Sequence, residues 1–193
     1  MKKLTVQDLM GLSSYEKARE KLRAEVIEHK KNRRLPVGDR VTLLFEDRKT
    51  ILFQIQEMVR AERIADLDKI KEEVDVYNEL LPDPDELSAT LFIEIEEQSK
   101  IREDLLKFLG IDEKVHLKVG NVRTIRARFE EGHSKEDKIS AVQYVRFRLD
   151  PAAKGAFLSG REKITVLIDH PNYRAEAEVG EEMRRSLSRD LTE

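Results

Sequence analysis

The spacing of apolar residues changes along this chain, and that change constrains the fold more than any other feature. Between Tyr15 and Leu80, apolar residues mostly recur every three or four positions, which is typical of amphipathic helices. From Val115 onward the period is mostly two, which is typical of strands with one buried face. The sequence therefore predicts an α+β protein with a helix-rich part over residues 1–110 and a strand-rich part over 111–193.

The helix-rich part is predicted to contain four helices and two short strands. The helices are expected over residues 13–31, 51–63, 66–80 and 98–109, and the strands over 41–45 and 87–95. Pro36 and Gly38 follow the first helix, Asp47 is a suitable N-cap for the second, and Gly110 can cap the last. Proline and glycine thus separate most of these elements.

The strand-rich part is predicted to form hairpins. The expected elements are strands over 115–119, 125–129, 139–149 and 163–169, a short helix beginning at Asp150-Pro151, and a terminal helix over 181–191. Gly120-Asn121 between two alternating runs indicates a hairpin turn. Short connections favour a mostly antiparallel β-sheet, and helices from the N-terminal half are expected to cover one of its faces. A single domain over 1–193 is the simplest arrangement.

The composition excludes several classes of protein. The 193 residues include no cysteine, so disulfides, thiolate nucleophiles, iron–sulfur ligation and cysteine zinc sites are excluded. A net charge of −3 argues against nucleic acid as a partner. Neither a targeting peptide nor an apolar run approaching the ~20 residues of a membrane span is present, which predicts a cytoplasmic protein without a membrane segment.

The common catalytic and nucleotide-binding motifs are also missing. The sequence has no glycine-rich phosphate loop, no Gly-x-Ser-x-Gly elbow and no His-Glu-x-x-His helix. It therefore names no nucleotide cofactor and gives catalysis no positive support. A metal remains possible, because carboxylates and histidines are available as ligands.

Several blocks of the sequence resemble one bacterial family. They lie at residues 44–46, 54–58, 60–64, 77–82, 86–94, 139–147 and 169–171. In these blocks the chain resembles the uncharacterised family called domain of unknown function 3501, and the resemblance covers nearly the whole chain. It implies a redox or peroxide-stress setting with rubrerythrin-like or iron–sulfur oxidoreductase partners, because genes for such proteins often neighbour those of the family. It supplies no catalytic residues.

One candidate site is a cleft or metal site assembled from separate elements. Its residues are Glu46, Gln54, Glu57, Arg60, Glu94, Asp169 and His170. The helix over 51–63 carries more polar side chains than an amphipathic face needs, and His170 precedes a proline at a strand end, where binding residues often lie. The alternative is that these are exposed helix charges and a structural turn.

The remaining histidines are interpreted as structural or surface residues. Glu113 with His116 and Glu130 with His133 have Glu-x-x-His spacing, but that spacing brings ligands together only on a helix. His116 is expected on a strand and His133 in an acidic loop. His29 lies near the end of the first helix, where an imidazole can interact with the terminal carbonyls and the helix dipole.

A basic face is the second candidate site. It comprises Arg126 and Arg128 on one strand and Tyr144, Arg146 and Arg148 on the next. If these strands are neighbours, like charges lie opposite each other and require carboxylates or an anionic ligand. The face is therefore a candidate for binding an anion or RNA, with Tyr144 for stacking. The alternative is an acidic cover from residues 66–79 or 176–182.

The leading interpretation is a non-catalytic accessory or binding protein in a bacterial redox pathway. The family resemblance and the lack of a nucleophile, phosphate loop or metal motif favour it. A metal-dependent enzyme with ligands from separate elements is the alternative. Binding of an anion or RNA is the third hypothesis.

Overall fold

The computed structural model describes residues 1–95, 97–130, 134–135 and 138–192. The helices are α1 (Leu12–Lys31), α2 (Arg48–Ala61), α3 (Leu67–Asn78), α4 (Ile101–Leu106), α5 (Pro151–Ser159) and α6 (Glu181–Asp190). The strands are β1 (Arg34–Val37), β2 (Val41–Phe45), β3 (Glu86–Ile93), β4 (Val115–Val119), β5 (Arg123–Arg126), β6 (Arg128–Phe129), β7 (Ser134–Lys135), β8 (Lys138–Ile139), β9 (Val142–Arg148), β10 (Ile164–His170) and β11 (Tyr173–Glu178). Across these ranges, no helix is both long enough and apolar enough to cross a bilayer.

The strands form two larger antiparallel sheets. One has five strands in the order β1-β2-β3-β9-β6, and the other has four in the order β11-β10-β4-β5. β7 and β8 pair separately as a two-stranded ribbon. The predicted α+β class and antiparallel pairing are confirmed, with the strands divided between two sheets.

The larger hydrophobic core joins the inner faces of these two sheets. Alternate residues of the five-stranded sheet, such as Leu43 and Phe147, share this core with Leu117 and Val166 of the four-stranded sheet. α5 contributes Phe157, and α6 adds further apolar side chains. Each fully buried large apolar side chain contributes about 1.5–3 kcal/mol relative to exposure, so this core is the main source of stability.

A second core lies among the N-terminal helices. Ile51, Ile55 and Val59 follow one face of α2 at four-residue steps and pack with Val74 of α3. Tyr144 of β9 packs against this cluster from the five-stranded sheet. Helices from the N-terminal half thus cover one face of that sheet, and nearly all residues of β2 and β3 are buried on both faces.

Two strands of the larger sheets are absent from the sequence predictions, as is β7 of the separate ribbon. β1 contains Pro36, which is tolerated because β1 is the outer strand of its sheet. A turn at Gly38 joins β1 to β2, and its φ of 78° favours glycine. A Cβ at Gly38 would lie 2.3 Å from the hydroxyl oxygen of Tyr173, which begins the second unpredicted strand, β11.

The predicted helix over 98–109 is shorter than expected. A single 3-10 turn over Gln98–Lys100 leads into α4, which ends at Leu106. Gly110 has the left-handed conformation expected of a C-terminal cap, although further turns separate it from α4. The predicted N-cap at Asp47 is confirmed, because its carboxylate accepts a hydrogen bond from the Thr50 N–H.

Candidate functional site

The predicted basic face contains a pair of arginines held by one buried carboxylate. Arg128 of β6 lies directly opposite Arg146 of β9. Glu86 of β3 is fully buried and bonds both guanidinium groups, at 2.9 Å to Arg128 and 2.8 Å to Arg146. The expected juxtaposition of like charges is therefore present. The compensating carboxylate lies outside the two acidic segments, 66–79 and 176–182, that the sequence suggested.

The other members of the basic face lie apart from this pair. Arg126 ends β5 in the four-stranded sheet, whereas Arg128 begins β6 in the five-stranded sheet, so the chain passes between sheets at Ala127. Arg148 is exposed and lies opposite Glu86 in the strand register. The predicted strand over 125–129 is thus divided between two sheets.

A cavity of about 200 Å³ opens beside the arginine pair, but its charge does not favour an anion. Arg128, Tyr144 and Arg146 line it together with Glu79 and Glu130. Burial, and then the nearby carboxylates, raise the pKa of Tyr144 above its ordinary value. With Glu86 behind the arginines, carboxylates outnumber guanidinium groups here, and the arginines serve to hold β3, β9 and β6 together.

The predicted cleft residues on α2 form two separate polar clusters. Glu46 is buried and accepts hydrogen bonds from the hydroxyls of Thr50 and Thr90, at 2.5 and 2.6 Å. Gln54 donates to the same carboxylate at 3.2 Å. Glu46 is therefore already supplied with donors, and its role is to tie the start of α2 to β3.

Glu57 and Arg60 belong to the second cluster, which links α2 to α1. Arg19 donates two hydrogen bonds of 2.8 Å to Glu57, and the Tyr15 hydroxyl donates a third of 2.8 Å. Arg60 lies 3.3 Å from the same carboxylate. The hydrogen bonds from Arg19, and then from Tyr15, lower the pKa of Glu57 to about 2. This carboxylate is consequently a fixed negative charge at neutral pH.

The remaining members of the proposed metal set have other partners. Glu94 pairs with Arg34 at 2.9 Å, and Asp169 pairs with Arg174 at 2.9 Å. The Nε2 atom of His170 lies 2.8 Å from the Leu109 carbonyl oxygen.

Within the described ranges, no three histidine, aspartate or glutamate residues come together as a group that could hold a metal. The structure thus does not assemble Glu46, Glu57, Glu94, Asp169 and His170 as one ligand set. His116 lies on β4 as predicted, whereas His133 lies outside the described residues.

A different set of charged residues meets where α1 ends, α2 begins and α6 packs. Arg33 follows α1 and is 1% exposed. Its guanidinium pairs with Asp190 of α6 and lies 3.3 Å from Asp47, the N-cap of α2. The Nε2 atom of His29 lies 2.6 Å from the same Asp47 carboxylate. One buried guanidinium thus connects two carboxylates, and one of these also holds an imidazole.

Backbone and hydroxyl groups complete this network. Arg33 Nε donates to the Phe45 carbonyl at 2.8 Å, and its terminal nitrogens donate to the Glu46 carbonyl at 3.1 Å and to Ser186 Oγ at 3.0 Å. Burying a guanidinium is tolerated only when its donors are satisfied in this way. The network therefore fixes α6 against the connection between β2 and α2.

Asp47 is ionised in this setting. Burial opposes its ionisation, but the hydrogen bond from His29, the charge of Arg33 and the Thr50 N–H together outweigh burial and lower the pKa of Asp47 to about 2. The ionised carboxylate, 2.6 Å from Nε2, orients the His29 ring. His29 is therefore positioned by Asp47, rather than only by the end of α1 as its place in the sequence suggested.

The network forms the floor of a cavity of about 220 Å³. His29, Arg33 and Asp47 line this cationic cavity with Arg48, Lys49, Ser186, Arg189, Asp190 and Met1. Four permanently cationic side chains therefore face two carboxylates. Arg48 has a partner outside the cavity, because it donates to Asp8 at 2.5 Å. Lys49 and Arg189 are exposed and have no carboxylate partner among the described residues.

The fold and this cavity define a class: an α+β protein in which two sheets and an N-terminal helical layer carry a cationic cavity at a helix junction. The chain belongs to the family described as "Protein of unknown function (DUF3501)", whose family model matches residues 3–191. The predicted family is therefore confirmed.

A solved structure supports the same fold. It is the crystal structure of a "novel protein of unknown function" from Burkholderia pseudomallei K96243, which is 37% identical to this chain. The TM-score is 0.92, and the match covers 98% of this chain and 100% of that one. None of the curated proteins matches the chain.

Proposed function

We propose that this protein is a binding protein for a small anion, a carboxylate or a phosphate, which occupies the cationic cavity. The observation that carries the proposal is that two exposed cations lining the cavity, Lys49 and Arg189, have no carboxylate partner in the part of the chain that the structure describes. Elsewhere in the cavity, Arg33 and Arg48 have carboxylate partners. Two exposed cations beside a floor whose charges are largely neutralised favour an incoming negative charge.

The floor of the cavity supports this proposal because it is rigid and polar. The Arg33 guanidinium donates to five acceptor atoms, namely two backbone carbonyl oxygens, Ser186 Oγ and both carboxylate oxygens of Asp190. Its position therefore does not depend on a ligand. Prearranged charges bind with a smaller loss of conformational entropy than flexible ones. His29, held by Asp47, supplies an additional polar group at the wall.

An accessory role in a redox pathway remains the broader part of this proposal. It rests on the family resemblance, which makes a rubrerythrin-like protein or an iron–sulfur oxidoreductase the expected partner. A cytoplasmic location belongs to the same proposal and is supported by the lack of cysteine. Anion binding would give such an accessory protein a ligand to carry or sense.

Titration of the ¹⁵N-labelled protein with inorganic phosphate and with acetate tests the proposal. We expect saturable amide shifts that are concentrated at residues 29–33, 47–49 and 186–190. Lys49→Gln with Arg189→Gln should weaken binding about 30-fold, because each exposed cation contributes about 1 kcal/mol. Rising ionic strength should also weaken binding.

A double variant with the same loss of charge provides the control. Lys17 and Arg161 are exposed and line neither this cavity nor the one beside the arginine pair. Lys17→Gln with Arg161→Gln should leave the affinity within about twofold of the wild type. Shifts scattered over the surface, or an equal loss of affinity in both double variants, would contradict the proposal.

A further inference from the structure

An apolar cavity of about 190 Å³ lies between α1 and α2. Leu22 and Val26 of α1 face Leu52 and Phe53 of α2 across it, and Met10 contributes to its wall. Apolar side chains thus dominate its lining. A cavity of this kind takes apolar groups more readily than water.

This apolar cavity adjoins the cationic cavity. Lys49 lines both of them, and Asp8 of the apolar cavity pairs with Arg48 of the cationic one. On α1, Val26 of the apolar cavity precedes His29 of the cationic cavity by three residues, which is ~4.5 Å along the helix axis. The two cavities therefore follow one another along the same pair of helices.

We propose that the ligand is an amphipathic anion with a single chain. Its carboxylate or phosphate head lies in the cationic cavity, and its unbranched apolar tail lies between α1 and α2. The head-group assignment rests on the proposed function, and the tail assignment adds the substrate class. A free molecule fits better than a two-chain membrane lipid, because the tail cavity is smaller than the ~300 Å³ at which small-molecule sites usually begin.

The ion pair of Asp8 with Arg48 lies between the two cavities and makes Arg48 less available to the head group. The hydrogen bond from Arg48, and then that from the Thr5 backbone, lower the pKa of Asp8 to about 2, so the carboxylate stays charged and competes for Arg48. Met10 is held nearby by paired hydrogen bonds of 2.8 and 3.0 Å with the Gln56 amide. Lys49 at the junction and Arg189 at the mouth are therefore the cations that the head contacts.

Chain length provides the test. We compare acetate, butyrate and hexanoate with uncharged hexanol, using the full chain and the same amide-shift titration. Each buried methylene should tighten binding about fourfold, so hexanoate should bind at least tenfold more tightly than acetate. Hexanoate should also shift amides near Leu22 and Phe53 that acetate leaves unchanged.

The outcomes separate this inference from the proposed function. Equal affinities for acetate and hexanoate would overturn the tail assignment and leave anion binding intact. Failure of phosphate and every carboxylate to bind would overturn both. Hexanol binding as tightly as hexanoate would show that no anionic head is recognised. Co-sedimentation with phosphatidylglycerol vesicles, without binding of free hexanoate, would place the ligand in a membrane and overturn the assignment to a free molecule.

Matched variants on α1 test the location of the tail. Leu22→Asn places an amide in the apolar cavity and should lower the ratio of hexanoate to acetate affinity by at least fivefold. Ile27, which is 52% exposed, lines neither cavity, so Ile27→Asn should preserve that ratio. Phe53→Asn on α2 should lower the same affinity ratio as Leu22→Asn does. Circular dichroism checks that this variant keeps its fold. An unchanged ratio in both cavity variants would overturn the inference.

Discussion

Arg33→Met is expected to lower the free energy of unfolding by about 3–5 kcal/mol. The substitution keeps an unbranched apolar stem but removes the guanidinium that pairs with Asp190 and Asp47. The Asp190 side chain is only 5% exposed, so its carboxylate would remain buried without its cation. Breaking a buried ion pair from one side costs about this much, because the remaining charge is not solvated.

This loss is large on the scale of ordinary substitutions. The carbonyls of Phe45 and Glu46 would lose donors as well. For a chain of 193 residues, 1 kcal/mol corresponds to about 2–4 °C in Tm, so Tm should fall by roughly 6–20 °C. Replacing both members of the pair, in Arg33→Met with Asp190→Leu, should restore part of the stability, because the carboxylate of residue 190 is no longer buried without its cation and Asp47 keeps its contact with His29.

Urea unfolding followed by circular dichroism measures the effect, and the neighbouring arginine provides the control. Arg34 pairs with Glu94 at 2.9 Å, but its side chain is 53% exposed. Arg34→Met should therefore cost no more than about 1 kcal/mol. A loss below 1 kcal/mol for Arg33→Met, or equal losses for the two variants, would refute the argument that burial makes the Arg33 network strong.

Two further predictions concern buried carboxylates. Asp47 has a lowered pKa of about 2, so its charge adds about 2 kcal/mol of stability above its unfolded pKa near 3.8, and this contribution disappears as pH falls toward 2. Asp47→Asn removes this charge but retains an N-cap residue. In urea unfolding, its free energy of unfolding should be lower than that of the wild type at pH 6, and the difference should shrink below pH 4. A difference that does not change with pH would contradict this. Glu86→Gln should cost about 3 kcal/mol in thermal unfolding because it leaves Arg128 and Arg146 opposite each other without their anion, whereas Arg128→Gln should cost under 1 kcal/mol. Similar losses for these two variants would show that Glu86 does not hold the arginine pair.

The elements with a strong apolar period could be predicted from the sequence. α2 repeats Ile51, Ile55 and Val59, and β4 alternates buried and half-buried residues, so both appear at their predicted places. β11 could not be predicted because its alternation is between small alanines and charged residues, as in Ala175 and Glu176, which gives little contrast in hydropathy. The division of one predicted strand at Ala127 was also hidden, because alternation continues while the sheet changes.

For the residues of the cationic cavity, the sequence predicts only local roles. It predicts that His29 lies at the end of a helix and that Asp47 is an N-cap, and both predictions are confirmed. Their common role depends on Arg33 and Asp190, which are separated by 157 positions. By contrast, the opposition of Arg128 and Arg146 was predictable from strand alternation. Its compensation by Glu86 was not, because that requires knowing that β3 lies beside β9.

The contacts of Arg33 with α6 also set the order of events during synthesis. Ser186 lies 153 positions after Arg33, so the guanidinium leaves the ribosome long before its partners on α6. At ~5–20 residues per second, that interval is roughly 8–30 s. During this time the Arg33 guanidinium lacks Ser186 and Asp190, so the floor of the cavity is incomplete. The proposed anion site is therefore complete only after α6 has docked.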